Sequence, residues 1–264
     1  MRVRIIFGLI NKGSSVPFHH QYLLAGYVEL LLKKYASEYK KTNAYNFSGL
    51  KGQIKVGKEG LYFYSSKVTL VFSAADPEFM DFFLGKLFQQ PQIEIGRLLL
   101  MPLSVERENM PIAKEEMKYL CISPIVVVDP IEGSEDPKTF LNPNSDEFSD
   151  FLYESIMIRM EKAGYTQEEL AQFYKFQVVP DKEYLSKIKD DDKKFARVFT
   201  LFDGGDKFDV RGYTFPFTLY ADPKVQDFVI NNGLGWMTHK GFGMLDIANS
   251  DPNLRTTPYE VKFS

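Results

Sequence analysis

Residues 44–73, AYNFSGLKGQIKVGKEGLYFYSSKVTLVFS, decide the fold that the sequence predicts. Two segments rich in β-branched and aromatic residues are joined by GKEG (57–60), which is typical of a hairpin turn. A strand and a helix are predicted before this hairpin, and a helix and a strand after it, over residues 3–10, 18–35, 78–90 and 92–106. The order β-α-β-β-α-β is that of the ferredoxin-like unit.

The same order of elements is predicted a second time, after a polar, proline-containing linker at residues 108–117. Its strands and helices are predicted over residues 118–129, 145–163, 173–179, 195–203, 208–221, 223–232 and 241–249. Asp222-Pro223 begins its last helix as Asp76-Pro77 begins that of the first unit, with Asp as N-cap and Pro as first helical residue. Residues 129–144 are turn-rich, and a loop and a short hairpin both fit them. The sequence therefore predicts an α+β protein of two tandem ferredoxin-like domains, residues 1–110 and 111–264.

The charges are unevenly distributed along the chain. The 264 residues carry a formal net charge of −3. Residues 1–110 hold 14 Lys and Arg against 9 Asp and Glu, and seven lysines with a single glutamate, Glu38, lie between Lys33 and Lys58. Phosphate contacts are local, because charges are screened within about 10 Å at ~0.1 M salt. A basic patch in the first domain is thus compatible with nucleic acid, and a solvated basic face explains it equally well.

Composition indicates an intracellular globular protein. Apolar residues make up 44% of the chain, enough for two cores. The single Cys121 excludes an intramolecular disulfide. No apolar run reaches the ~18–20 residues that cross a bilayer, and the first residues are too short and too alternating for a signal peptide. We expect a cytoplasmic protein without a membrane segment.

Three stretches carry a resemblance to a known family, and they follow the family's order along the chain. They are VPFHHQYLLAGYVELLL (16–32), KYLCISPIVVV (118–128) and NNGLGWMTHKGFGMLDI (231–247). The chain resembles the CRISPR-associated endoribonucleases of the RAMP superfamily, which process the repeat RNA of CRISPR precursor transcripts. The third stretch, the glycine-rich loop, is the most specific of the three.

The resemblance implies an activity and a partner. It implies metal-independent cleavage of CRISPR repeat RNA, in which the 2′-hydroxyl attacks the neighbouring phosphate and leaves a 2′,3′-cyclic phosphate and a 5′-hydroxyl. Repeat RNA is the expected partner, with other subunits of a CRISPR effector complex as further partners, and the protein itself a monomer or homodimer. No cofactor or metal is expected, since the chain has one cysteine and no carboxylate pair at ligand spacing near its histidines.

The glycine-rich loop is predicted to contact RNA. Glycines let the main chain take positive φ and leave no Cβ between the chain and a ligand, so that backbone N–H groups can face phosphate. A tight turn between helix and strand, without a ligand, is the alternative. The residues predicted to bind RNA are Gly233, Gly235, His239, Lys240, Gly241 and Gly243 of the loop, with Lys33, Lys34 and Lys40.

Proton transfer is assigned to the histidines, because an imidazole with a pKa near 6.5 can act as acid or base. The chain has three, His19, His20 and His239. At 100° per residue, His20 shares a helix face with leucines, whereas His19 lies on the polar face with Tyr22. His19 is therefore the preferred catalytic residue. The predicted catalytic set is His19, His20, Tyr22 and Lys41.

The chain departs from the family at the catalytic positions. Where several members carry a tyrosine on the first helix, this chain has Glu29. The loop after that helix contains no histidine, and Asn43 stands closest to the position of the family's lysine. Either the site is rebuilt from His19, Tyr22, Lys33 or Lys41, with His239 as a further candidate, or the protein is a non-catalytic or weakly catalytic RNA-binding RAMP protein. The net negative charge leaves a third alternative open, an unrelated pair of ferredoxin-like domains that binds a small ligand or a protein.

Overall fold

A computed structural model describes residues 1–35, 44–128, 141–190, 194–203 and 206–263. By main-chain contacts the chain divides into two compact units. The first comprises Met1–Met110, His239–Gly241 and Asp251–Ser264, and the second comprises Pro111–Thr238 and Phe242–Ser250.

Helices separate groups of strands along both units. The strands are β1 (Arg2–Leu9), β2 (Ser15–Val16), β3 (Tyr45–Phe47), β4 (Ile54–Val56), β5 (Leu61–Phe63), β6 (Lys67–Ala74), β7 (Ile93–Ile95), β8 (Leu98–Glu108), β9 (Glu116–Cys121), β10 (Ile125–Val126), β11 (Phe176–Pro180), β12 (Ala196–Asp203), β13 (Asp206–Tyr213), β14 (Phe217–Ala221), β15 (Leu245–Ile247) and β16 (Thr256–Tyr259). The helices are α1 (Gln21–Tyr35), α2 (Pro77–Phe88), α3 (Asp146–Lys162), α4 (Gln167–Leu170), α5 (Lys182–Asp190) and α6 (Pro223–Asn232).

The first unit is built on one antiparallel sheet in the order β16-β8-β1-β6-β3, with β7 beside β8. Its central four strands have the ferredoxin-like arrangement, in which the first and third strands of the repeat lie side by side. Period-2 alternation buries Val3 and Ile5 of β1, and helical spacing buries Leu24, Val28 and Leu31 of α1 in the same core. This periodicity positions α1 with its other face outward.

The second unit repeats the arrangement. Its main sheet has the order β11-β14-β9-β15, which again places the first and third strands of the repeat side by side. Phe148, Leu152, Ile156 and Met160 of α3 are fully buried, as their helical spacing predicts. The prediction of two tandem ferredoxin-like units is confirmed.

Several predicted strands are divided differently in the structure. The segments on either side of the GKEG turn each split, so that β3 and β6 join the main sheet while β4 and β5 form a separate small sheet with β2. Residues 208–221 split at 214–216 into β13 and β14, and the β12–β13 hairpin pairs with β10 outside the main sheet. The helices α4 and α5 were not predicted.

The last residues of the chain were assigned to the second domain, and the structure places them in the first unit. Strand β16 pairs antiparallel with β8, with Thr256 opposite Glu108 and Tyr259 opposite Val105. The outer edge of β8 would otherwise leave main-chain N–H and C=O groups unpaired, and β16 satisfies them. Residues 239–241 also belong to the first unit.

None of the helices in the described ranges is long and apolar enough to span a membrane.

Candidate functional site

The glycine-rich loop, residues 231–247, has the backbone that its sequence predicts. It begins at the end of α6, and Gly233, Gly235, Gly241 and Gly243 have φ of 83°, 83°, 86° and 70°. Residues other than glycine rarely adopt this left-handed region. The prediction of positive φ at the four glycines is confirmed.

The space beside three of these glycines is filled by the protein itself. A Cβ on Gly243 would lie 2.0 Å from the carbonyl oxygen of Leu234, and one on Gly235 would lie 2.3 Å from that of Val126. A Cβ on Gly241 would lie 2.4 Å from the ring of Phe47. At all three positions the missing Cβ makes room for the protein's own chain, and the contact of these glycines with RNA stays a prediction.

Arg159 of α3 holds the first part of the loop, and nothing in the sequence predicted this role. Its guanidinium donates hydrogen bonds to the carbonyl oxygens of Asn232, Gly233 (2.9 Å) and Gly235 (2.9 Å). Burial lowers the pKa of Arg159 to about 10, so the group stays charged at neutral pH. More than 70 residues separate donor and acceptors in sequence, so no local pattern could have joined them.

Residues 239–241 of the loop lie against α1 and β3. The Lys240 ammonium donates to the Glu29 carboxylate at 2.6 Å, and Lys240 is only 7% exposed. The His239 ring meets the Tyr45 ring edge-on, with centroids 6.4 Å apart. Burial raises the pKa of Tyr45 above its usual value, and the Glu29 charge raises it further. Lys240, predicted to bind RNA, therefore has its charge balanced by Glu29.

His20 has a structural place in the core. It is 4% exposed, and its Nε2 accepts a hydrogen bond from the Leu50 N–H at 2.9 Å. This bond identifies Nδ1 as the protonated nitrogen of a neutral ring. Burial is the main cause that lowers the pKa of His20 to about 4; the neighbouring His19 lowers it slightly, and the Pro17 carbonyl opposes the shift. His20 is neutral at pH 7 with its lone pair occupied, so we do not carry it into the proposed catalytic set.

His19 and Tyr22 lie at the N-terminal end of α1, and both are half-buried. The first turn of α1 contains no acidic residue, so no carboxylate there offsets the positive end of the helix dipole. On the same polar face, Gly26 is exposed with nothing within 4 Å of where its Cβ would lie, and Glu29 and Lys33 follow. We call this line of residues, from His19 to Lys33, the polar face of α1.

The remaining predicted site residues fall into two groups. Lys33 and Lys34 are exposed in the last turn of α1. Lys40 and Lys41, with Asn43, lie outside the described residues. Glu29 lies eight residues after Gln21 on α1, which is about 12 Å along the helix axis at ~1.5 Å per residue. The ion pair between Lys240 and Glu29 is therefore well separated from the His19 end of the helix. Among the described residues there is no group of three or more His, Cys, Asp or Glu that could hold a metal ion.

Two ferredoxin-like units, with a glycine-rich loop between α6 and β15, the last helix and last strand of the second unit, define a protein of the RAMP class. A family model described as "CRISPR associated protein Cas6, C-terminal" matches residues 106–247, more than half of the chain. The chain belongs to the Cas6 family.

Similar proteins agree with this assignment over the full length. The chain is 24% identical over 262 residues to "CRISPR-associated endoribonuclease Cas6 1" of Methanocaldococcus jannaschii, with 96% of this chain and 95% of the relative covered. A structure described as "Characterization of a Cas6-related gene from Pyrococcus furiosus" has a TM-score of 0.76 at 19% identity and covers 95% and 99% of the two chains. One described as "An RAMP protein binding different RNA substrates" has a TM-score of 0.75 at 18% identity and covers 94% and 100%.

Proposed function

We propose that this protein is an endoribonuclease that binds and cuts the repeat of precursor CRISPR RNA. The observation that carries the proposal is the Cas6 family match over residues 106–247, which includes the glycine-rich loop. The M. jannaschii relative, named an endoribonuclease, supports the activity, and the RAMP neighbour described as binding RNA supports the substrate class.

The reaction needs no metal and gives a 2′,3′-cyclic phosphate. A base removes the proton of the 2′-hydroxyl, the 2′-oxygen bonds to phosphorus, the bond from phosphorus to the 5′-oxygen breaks, and an acid returns a proton to that oxygen. We assign the base to His19 and propose that the scissile phosphate lies at the N-terminus of α1, where the positive end of the helix dipole stabilises its charge.

Tyr22 follows His19 on the polar face of α1 and is the proposed donor to a phosphate oxygen. Lys41 stays in the proposed set as a cation that stabilises the negative charge on the phosphate oxygens in the transition state. The exposed Lys33 and Lys34 are proposed to hold the RNA backbone beyond the cleavage point, with Lys40 and the glycine-rich loop.

The test uses purified protein and the repeat RNA of a CRISPR array encoded beside its gene. With EDTA present, the protein is expected to cut the repeat at one position. Phosphatase should remove the 3′-terminal phosphate of the upstream product only after acid has opened the cyclic phosphate. Loss of cutting in EDTA, with recovery on adding Mg²⁺, would refute metal independence. A linear 3′-phosphate as the first product would refute attack by the 2′-hydroxyl.

A non-catalytic RNA-binding role is the second candidate, favoured by the pairing of Glu29 with Lys240 at the helix position where the resemblance to the family implies a tyrosine. It predicts salt-dependent binding of the repeat and no product after a long incubation at protein excess. A single turnover, seen as one equivalent of product per protein, excludes this role.

A further inference from the structure

The small sheet β2-β5-β4 carries an exposed surface that its fold does not require. All three residues of β4 are exposed, among them Ile54 (43%) and Val56 (73%). Tyr64, just after β5, is 44% exposed. The register pairs Lys55 with Tyr62, so Tyr64 lies on the Lys55 face of the hairpin and Ile54 and Val56 lie on the opposite face. Exposed large apolar and aromatic side chains on such a hairpin indicate a binding surface rather than a core. We call residues 51–64 the hairpin surface.

The hairpin surface is basic as well as apolar. Lys51, Lys55 and Lys58 are all exposed, and residues 51–64 contain a single acid, Glu59. Glu59 forms an exposed ion pair with Arg97 at 3.8 Å. The Lys55 ammonium lies 5.1 Å from the centroid of the Tyr64 ring. The face that carries Lys55 and Tyr64 thus combines positive charge with an exposed aromatic ring, which matches a polyanion that also has flat bases.

The hairpin surface is paired to β2, the strand that precedes His19. Strand β5 pairs with β2, with Leu61 opposite Val16. A Cβ on Gly60 would lie 2.0 Å from the Val16 carbonyl oxygen, so the turn packs closely against the residues that precede Phe18 and His19. Phe18 is itself 39% exposed. The hairpin surface is therefore joined by hydrogen bonds to β2, and β2 leads along the chain to the N-terminal end of α1.

We propose that the hairpin surface binds a single-stranded segment of the substrate RNA next to the cleavage site. This inference rests on the proposed function and adds the form of the substrate. Unpaired bases stack on Tyr64, while the lysines contact the phosphates on either side. A duplex buries the faces of its bases between neighbours and offers none of them to such a surface, so the structure points to a repeat that is unpaired here.

The test measures binding of a fluorescein-labelled U12 RNA by anisotropy at several salt concentrations. The variant combines Lys55→Ala, Lys58→Ala and Tyr64→Ala, all at exposed positions. We expect U12 affinity to fall about tenfold or more, and the slope of log affinity against log salt to shrink by about 1.4, because each phosphate contact on a single strand contributes ~0.7. The RNA concentration that gives half-maximal cleavage of the repeat should rise by the same factor as the Kd.

The matched control makes the same chemical changes elsewhere on the surface. Lys162→Ala, Lys187→Ala and Tyr174→Ala remove two exposed lysines and a tyrosine that is 74% exposed. This control should leave U12 affinity within twofold of wild type. Unchanged U12 binding in the hairpin variant overturns the proposal, and so does an equal loss of affinity for U12 and for a U12·A12 duplex.

The two proposals fail in different ways. If the wild-type protein cuts the repeat and the hairpin variant binds U12 as tightly as wild type, the hairpin inference is wrong and the endoribonuclease stands. If the wild-type protein neither binds nor cuts any RNA, the proposed function is wrong and the inference falls with it.

Discussion

The N-terminal end of α1 and the glycine-rich loop both carry histidines, and they differ in how their polar groups are used. In the loop, three glycines make room for the protein's own atoms, Arg159 donates hydrogen bonds to three carbonyl oxygens, and Lys240 is paired with Glu29. At the end of α1, His20 has such an internal role, while His19 is half-buried before a helix turn without an acid. The stretch that identifies the family most specifically is therefore also a structural element, and family motif and reacting groups need not coincide.

The largest effect is expected where the loop is most tightly packed. Gly243→Ala places a Cβ 2.0 Å from the Leu234 carbonyl at a positive φ, so we expect a loss of more than about 4 kcal/mol in the free energy of unfolding, measured by urea denaturation. Gly164→Ala is the matched control, because Gly164 has φ 98° but nothing within 4 Å of a Cβ; it should cost only ~1 kcal/mol. Equal losses in the two variants would show that crowding does not explain the loop's glycines.

The next effect separates the two regions by chemistry. His19→Ala should slow cleavage of the repeat about 100-fold or more, as expected for loss of a general base, with RNA affinity within twofold of wild type. His239→Ala should slow it less than tenfold. Single-turnover rates at saturating protein measure both. If His239→Ala alone stops the reaction, the reacting groups lie beside Glu29 and Lys240, and the assignment to the end of α1 is wrong.

A smaller effect is the pH dependence of the protein's stability that His20, the buried neighbour of His19, contributes. The pKa of His20 is lowered to about 4 in the folded protein, so the unfolded chain, with a value near 6.5, binds more protons between these values. The stability contributed by His20 is complete above pH 6.5 and is lost as the pH falls toward 4, by ~2 kcal/mol at pH 5.

The measurement compares unfolding free energies at pH 7 and pH 5 for wild type and His20→Gln. The glutamine side chain can place its carbonyl oxygen near the position of Nε2 and accept the Leu50 N–H, yet it does not titrate. The unfolding free energy of His20→Gln should therefore fall less between pH 7 and pH 5 than that of wild type. An equal fall in the two proteins would assign the pH dependence to another group.

Local signals in the sequence predicted the elements of the fold well. Asp76 and Asp222 cap α2 and α6 by accepting hydrogen bonds from the main-chain N–H two residues on, each at 2.8 Å, and Gly164 ends α3 at positive φ. These features depend on neighbours within a few residues. The ion pair of Lys240 with Glu29 joins residues 211 apart, and β16 returns to β8 from the far end of the chain, so only the folded chain reveals them.

The smallest effect tests the middle of the polar face of α1. Gly26 lies inside a helix, is exposed, and has nothing within 4 Å of a Cβ, so Gly26→Ala should raise the free energy of unfolding by about 0.5–1 kcal/mol. If the RNA backbone lies against this face, the added methyl group will hinder its approach and weaken repeat binding even as the protein becomes more stable. Anisotropy of labelled repeat RNA measures that affinity, with Gly164→Ala as the control away from α1. A more stable variant with unchanged affinity would place the RNA path off this part of α1 and confine its contact to the His19 end.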